Sequence, residues 1–154
     1  MRAVVQRVRH ASVTADGAPA GTCGNGLLIL LGVARGDTAD DALRLAEKIS
    51  KMRIFCDAND KMNLSVRDIG GGALVISNFT LCAAYAKGNR PDYFAAEDPT
   101  PANDLYDCFC RLLAERIVHV ACGVFGADMQ ITTELDGPVT IVMDSEVLRK
   151  GGKT

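Results

Sequence analysis

The run Leu27-Leu28-Ile29-Leu30-Leu31-Gly32-Val33, entered through Gly24-Asn25-Gly26, constrains the fold more than any other stretch of the chain. It is apolar without alternation, short, and bounded by glycine, which predicts a strand buried on both faces. A strand of that kind sits centrally in a sheet that must be covered on two sides. Ala3 to Val8 and Ser12-Val13-Thr14 read as strands paired in a hairpin, with a tight turn at Asp16-Gly17. Thr38 offers a capping oxygen, acids follow at Asp40 and Asp41, and Ala42, Leu45, Ala46, Ile49 and Met52 recur at helical steps, so one helix follows the central strand. Thr100-Pro101 opens a second helix with Leu105, Cys108, Phe109, Leu112 and Leu113 as its stripe. Further strands are read at Ile54-Phe55, at Ala73 to Ser77, and at Met129 to Leu135 and Val139 to Asp144. The last two are joined through a turn at Asp136-Gly137-Pro138.

The order predicts an α/β fold with mixed sheets and two main helices on one face. Two helices leave the other sheet face in need of a cover, which a second copy would supply. At 154 residues and 48% hydrophobic the chain is read as one domain over 1–145, with 146–154 a basic, glycine-containing tail whose last residues, Arg149 to Thr154, are expected to fray. Met1-Arg2-Ala3 leads directly into strand pattern without a basic-then-apolar leader, and no apolar run approaches a membrane span, so the expectation is a cytoplasmic protein without membrane contact.

Several chemistries lack their residues. The six cysteines form no C-x-x-C pair and have no histidine at zinc-ligand spacing, so neither metal nor disulfide is expected. Gly32-x-x-x-Gly36 lacks the Lys-Ser/Thr end of a phosphate loop, and neither His10 nor His119 has an acidic neighbour or a nucleophile elbow in sequence. No cofactor is expected. A formal charge of −2 disfavours binding along a nucleic-acid backbone but leaves room for reading one RNA end. The stretch from Cys82 to Ala102, with Lys87-Gly88-Asn89-Arg90-Pro91 in it, is the longest without periodicity, and such loops are functional or mobile.

Ser77-Asn78-Phe79-Thr80-Leu81 is more polar than the end of a buried strand requires, and Asp136-Gly137-Pro138-Val139-Thr140 sets a proline that donates no ladder hydrogen bond between two strands. Together they resemble the signatures Ser-Gln-Phe-Thr-Leu and Gly-Pro-Val-Thr of the D-aminoacyl-tRNA deacylases. The opening Met1 to Val8, Leu30 to Val33, Lys61-Met62-Asn63-Leu64-Ser65, Lys87-Gly88-x-Arg90-Pro91 and Gly123 to Gln130 extend the resemblance along nearly the whole chain.

The resemblance implies a three-layer α/β/β homodimer without metal or cofactor that hydrolyses the ester of D-aminoacyl-tRNA, and of glycine mischarged on tRNA-Ala. Ser77, Phe79 and Thr80 would form the catalytic pocket beside Asn78, with the backbone amides near Phe79 and Thr80 facing the ester. Gly137-Pro138 would be cis and enter the partner's active site, excluding an L side chain. Phe125 and Met129 would lie close to the adenine and to the Gly-Pro loop, and Arg7 would steady that loop. Asn78 replaces the family's Gln, and Leu135 stands where Asn is expected. An animal relative with altered signatures has a trans Gly-Pro and relaxed chirality; Phe79, Val139 and Thr140 keep the ordinary pattern, which implies the chiral enzyme. Two alternatives remain open at this level: Thr80 as a nucleophile forming an acyl-enzyme, and a non-catalytic module that binds an RNA end.

Overall fold

The computed structural model describes residues 1–150. Its frame is strand β1, Arg2–Ala15, followed by β2, Ala18–Cys23, and β3, Gly26–Gly32. Helix α1, Ala39–Lys51, leads to the two-residue β4, Phe55–Cys56, and to β5, Met62–Leu64, which pair only with each other. Strand β6, Gly72–Ser77, helix α2, Pro99–Ala114, β7, His119–Cys122, the long β8, Met129–Asp144, and a short helix α3, Ser145–Lys150, complete the order.

Strand β3 is buried along both faces, as its unbroken apolar run requires. It pairs antiparallel with β1 and parallel with β6, and β6 pairs parallel with β7. Side chains alternate across a sheet, so the two faces feed two cores. Leu27, Ile29 and Leu31 join Ala3, Val5 and Val75 under the helices, where Leu45 and Ile49 of α1 meet Phe109 and Leu113 of α2. Leu28, Leu74 and Ile76 turn the other way and pack with Val8, Ala11, Val13 and Cys23. The second core is therefore closed by the same chain. β2 swings towards β7, where His119 Nε2 lies 3.0 Å from the Thr22 carbonyl and a Cβ on Gly21 would lie 2.9 Å from the Cys122 carbonyl oxygen. The curl of β1 thus covers part of this face with the same chain, while the paired Val4, Leu30 and Val142 stay only half-buried or exposed on it.

Three expectations change. Ser12 to Thr14 is not a hairpin partner of Ala3 to Val8 but the continuation of one 14-residue strand. That strand stays extended through exposed Arg9 and His10 because β8 runs along its whole length, from Asp144 opposite Arg2 to Met129 opposite Ala15. For the same reason Met129 to Leu135 and Val139 to Asp144 are not two strands joined by a turn: both flank one strand running in one direction. Helix α2 starts at Pro99 after Asp98 rather than at Thr100-Pro101.

At the chain's end Ser145–Lys150 is helical, and residues 151–154, which make up most of the stretch expected to fray, lie outside the described residues. Arg149 on α3 forms a two-nitrogen ion pair with Asp41, which also accepts the Thr38 amide at 2.8 Å where α1 begins. Burial opposes the charge on Asp41, but the hydrogen bonds from Arg149 and Thr38 outweigh it and hold the carboxyl well below the usual range. A depressed carboxyl stabilises the fold above its unfolded pKa of about 3.9, and that stability is lost as pH falls through the folded value. Arg149→Met therefore lowers the melting temperature by several degrees at pH 7. Calorimetry across pH should show the difference from wild type shrinking below about pH 4; a difference independent of pH would mean that Arg149 acts through packing alone.

Candidate active site

The parallel strands β3 and β6 end side by side, with Leu31 opposite Ser77, and ligands in such sheets gather beyond the carboxyl ends of the strands. A cleft of about 550 Å³ opens there. Gly32 allows the chain after β6 to cross closely, since a Cβ would meet the Asn78 carbonyl oxygen at 2.9 Å. The Asn78 amide donates to the Leu31 carbonyl at 2.8 Å, and Phe79–Cys82 then winds into a 3-10 turn. The first amides of a helical turn have no acceptor within it, and those of Phe79 and Thr80 donate to no other group among the described residues. Ser77, Asn78 and Phe79 all line the cleft. Thr80 is exposed beside it and donates its hydroxyl hydrogen to Asn78 Oδ1 at 2.5 Å. The shorter Asn in place of the family's Gln thus holds a side-chain hydrogen bond within the turn.

The opposite wall was not foreseen residue by residue. Arg35, just past the central strand, donates from Nε to the Phe94 carbonyl at 2.9 Å and from Nη2 to Asp98 at 2.8 Å. Backbone bonds from Arg35 to Ala95 and from Glu97 to Val33 fasten the same segment. These ties bring Tyr93 into the cleft, with its ring edge-on to Phe79 at 5.1 Å between centroids. The available signal was the aperiodic stretch itself, together with the position of Arg35 beyond a buried parallel strand. Tyr106 of α2 also lines the cleft and donates its hydroxyl to the Val75 carbonyl at 2.8 Å. Burial, then the Cys110 and Cys122 thiols, pushes its pKa above the ordinary tyrosine range, so it remains a donor.

Phe125 and Met129 form the third side of the cleft. Phe125 packs at 6.1 Å from Tyr106, and Met129 folds over Gly123, where a Cβ would lie 2.7 Å from its sulfur.

Arg7, Gly137 and Pro138 are not part of this cleft. Leu135 pairs with Val8 and Thr140 with Gln6, so Asp136 to Val139 bulge out opposite Arg7 alone. The Gly137-Pro138 bond is cis. Arg7, 9% exposed, donates Nη1 to the Ile54 carbonyl at 2.7 Å and Nε to the Asp136 carbonyl at 3.2 Å, with the Asp136 carboxylate 3.0 Å away. Arg9 adds a longer contact to Asp136 at 3.6 Å. The loop is thus braced through Asp136, which makes the missing Asn at position 135 less consequential. Arg7 sits four residues along β1 from Ala3, the partner of Leu31 at the cleft end of β3, a separation of roughly 13 Å at the rise of a strand. The bulge and the cleft face different places on one chain.

The family model described as D-Tyr-tRNA(Tyr) deacylase matches residues 4–144. A D-aminoacyl-tRNA deacylase of Chloroflexus aurantiacus is 56% identical over 97% of this chain and 93% of its own length. One from Anaeromyxobacter dehalogenans is 54% identical over 96% and 99%. Among solved structures, the c-Myc DNA Unwinding Element Binding Protein superposes with a TM-score of 0.88 at 37% identity, covering 94% of this chain and 98% of that one. A probable eukaryotic D-amino acid tRNA deacylase shares the fold with a TM-score of 0.73 at 17% identity, covering 92% and 97%.

Proposed function

Because the chain belongs to the D-Tyr-tRNA(Tyr) deacylase family, a family of ester hydrolases, we propose that it cleaves the bond between a D-amino acid, or glycine on tRNA-Ala, and the 3′ end of tRNA, and spares L-aminoacyl-tRNA. The observation that carries this reading is that the Phe79 and Thr80 amides, at the lip of an otherwise largely apolar cleft, have no acceptor among the described residues. Fixed N–H donors of that kind stabilise the oxyanion that develops as water attacks an ester, and in a water-poor site they outperform the same dipoles in solvent. Aminoacyl esters are labile, and the terminal ribose brings a vicinal hydroxyl, so holding the ester supplies most of what the reaction needs. In this reading Ser77 and Asn78 line the ester's approach, and the terminal adenosine rests between Phe125 and Met129.

The chiral filter is Gly137-Pro138 of a second copy. The bulge does not line the cleft of its own chain, and it lies on β8, a 16-residue edge strand paired on one side only among the described residues and exposing Ile131, Leu135 and Val142. A long apolar edge of this sort invites pairing with another chain, and a two-fold dimer would place each bulge at its partner's cleft. Backbone carbonyls there would receive the α-amino group and leave no room for an L side chain, while glycine, having none, enters. Such steric exclusion discriminates more strongly than a gain or loss of one methylene.

No helix among the described residues is long and apolar enough to cross a membrane, and the proposed workplace is the cytoplasm, where aminoacyl-tRNA is found. The test is deacylation of D-tyrosyl-tRNA against L-tyrosyl-tRNA with a chelator present, alongside sedimentation. The expected outcome is rapid loss of the D ester, an untouched L ester, and a mass twice that of the chain. Equal cleavage of both esters, or full activity from a monomer, would remove the proposed filter.

A further inference from the structure

The excursion between the 3-10 turn and α2 is unlike the rest of the surface. Ala84 and Asp92 exchange backbone hydrogen bonds of 2.9 Å in both directions and pinch the base of a loop. Lys87 and Arg90 stand near its tip, on either side of Gly88 with φ +67°. Tyr85 at one foot is 80% exposed and Phe94 just beyond the other is 84% exposed. Neither Lys87 nor Arg90 enters an ion pair among the described residues. The one acid between residues 83 and 95, Asp92, accepts the Phe94 amide at 3.2 Å. Between Tyr85 and Phe94 along the chain lies Tyr93, 38% exposed, which lines the cleft and packs on Phe79.

Exposed rings, and cations without an ion pair among the described residues, on a loop whose Tyr93 lines the cleft, match the chemistry of single-stranded nucleic acid. Bases stack on aromatic faces whatever their sequence, and lysine and arginine follow the phosphates. A net charge of −2 disfavours binding along a duplex backbone, so a short local platform is the economical arrangement. We propose that the 84–94 loop holds the unpaired nucleotides immediately before the aminoacylated adenosine, with Tyr85 and Phe94 stacking bases and Lys87 and Arg90 contacting phosphates. This rests on the reading of the cleft as the site of the terminal adenosine.

The experiment compares two esters, D-tyrosyl-tRNA and 2′(3′)-O-D-tyrosyladenosine, which lacks the preceding nucleotides. Tyr85→Ala and Phe94→Ala should each raise KM for the tRNA ester roughly tenfold and leave kcat, and all kinetics on the adenosine ester, as in wild type. Lys87→Gln combined with Arg90→Gln should flatten the dependence of log affinity on log salt by about 1.4, the value for two phosphates on a single strand. Anisotropy of a labelled single-stranded RNA tetranucleotide reads the same loss without catalysis. Equal damage to both esters, or none to either, overturns the proposal. A halved sedimenting mass in the aromatic variants overturns it too, by showing the patch to be a contact between copies. If wild type cleaves neither ester the reading of the cleft fails first, a result distinct from the selective loss expected here.

Discussion

Gly137→Ala abolishes deacylation of D-tyrosyl-tRNA for practical purposes, with kcat/KM down by about 100-fold or more, while the fold survives. Gly137 has φ +144°, a region that residues with a side chain rarely adopt, and a Cβ there would lie 2.4 Å from the Val139 nitrogen and 3.0 Å from its Cγ2. The nearest obstacle is backbone of the same bulge, so no side-chain rotation relieves it and the loop itself must move. Displacements of about 1 Å in a positioning element cost on the order of 100-fold in rate. The local strain, about 1–3 kcal/mol, is small enough for a fold with two cores to carry, and the Arg7 and Asp136 brace remains. Single-turnover deacylation with circular dichroism and sedimentation as controls measures this. A variant that is folded, dimeric and fully active would show that the bulge takes no part in the reaction.

Replacing the terminal 2′-hydroxyl of the tRNA by hydrogen slows cleavage by about 100- to 10,000-fold, the range for a lost proton-transfer group, whereas Thr80→Ala costs about tenfold or less. The reason lies in what surrounds Thr80. Its hydroxyl hydrogen is committed to Asn78 Oδ1 at 2.5 Å, and an amide oxygen is too weak a base to generate an alkoxide. No histidine, carboxylate or lysine hydrogen-bonds to it among the described residues. A threonine without a base is a poor nucleophile, but as the second residue of the 3-10 turn it can hold the turn that carries the free amides. The measurement is the single-turnover rate of each combination of enzyme and RNA. Complete loss in a folded, substrate-binding Thr80→Ala, or a trapped acyl group on Thr80, would reverse the assignment and make the hydroxyl the nucleophile.

The boundary between what was legible and what was not follows the range of the interactions. Local and periodic features were readable: the both-sides-buried β3 from its unbroken apolar run, α1 from its cap and three- and four-residue steps, and the polar Ser77-Asn78-Phe79-Thr80 end of β6. The motifs that carried the family resemblance were readable because they are contiguous. Misreadings arose where a local signal for chain reversal met a distant partner. Ala3 to Val8 and Ser12 to Thr14 read as two strands of a hairpin and Asp136-Gly137-Pro138 as a turn, yet β1 and β8 pair along their lengths and hold each other extended, with the Gly-Pro segment expelled as a bulge.

The cleft's second wall was hidden for the same reason. Arg35 and Phe94, 59 residues apart, meet through one hydrogen bond and a short backbone bridge that no periodicity announces. Arg149 reaches Asp41 across 108 residues and ties α3 to the start of α1. By itself the sequence determined the elements whose stability is local, and the residue types of the site. Only the tertiary structure decided which faces the curled sheet could cover alone, and that the bulge and the cleft of one chain point to different places. Those outcomes depend on pairings between distant segments, whose free energy appears only once the whole sheet has formed.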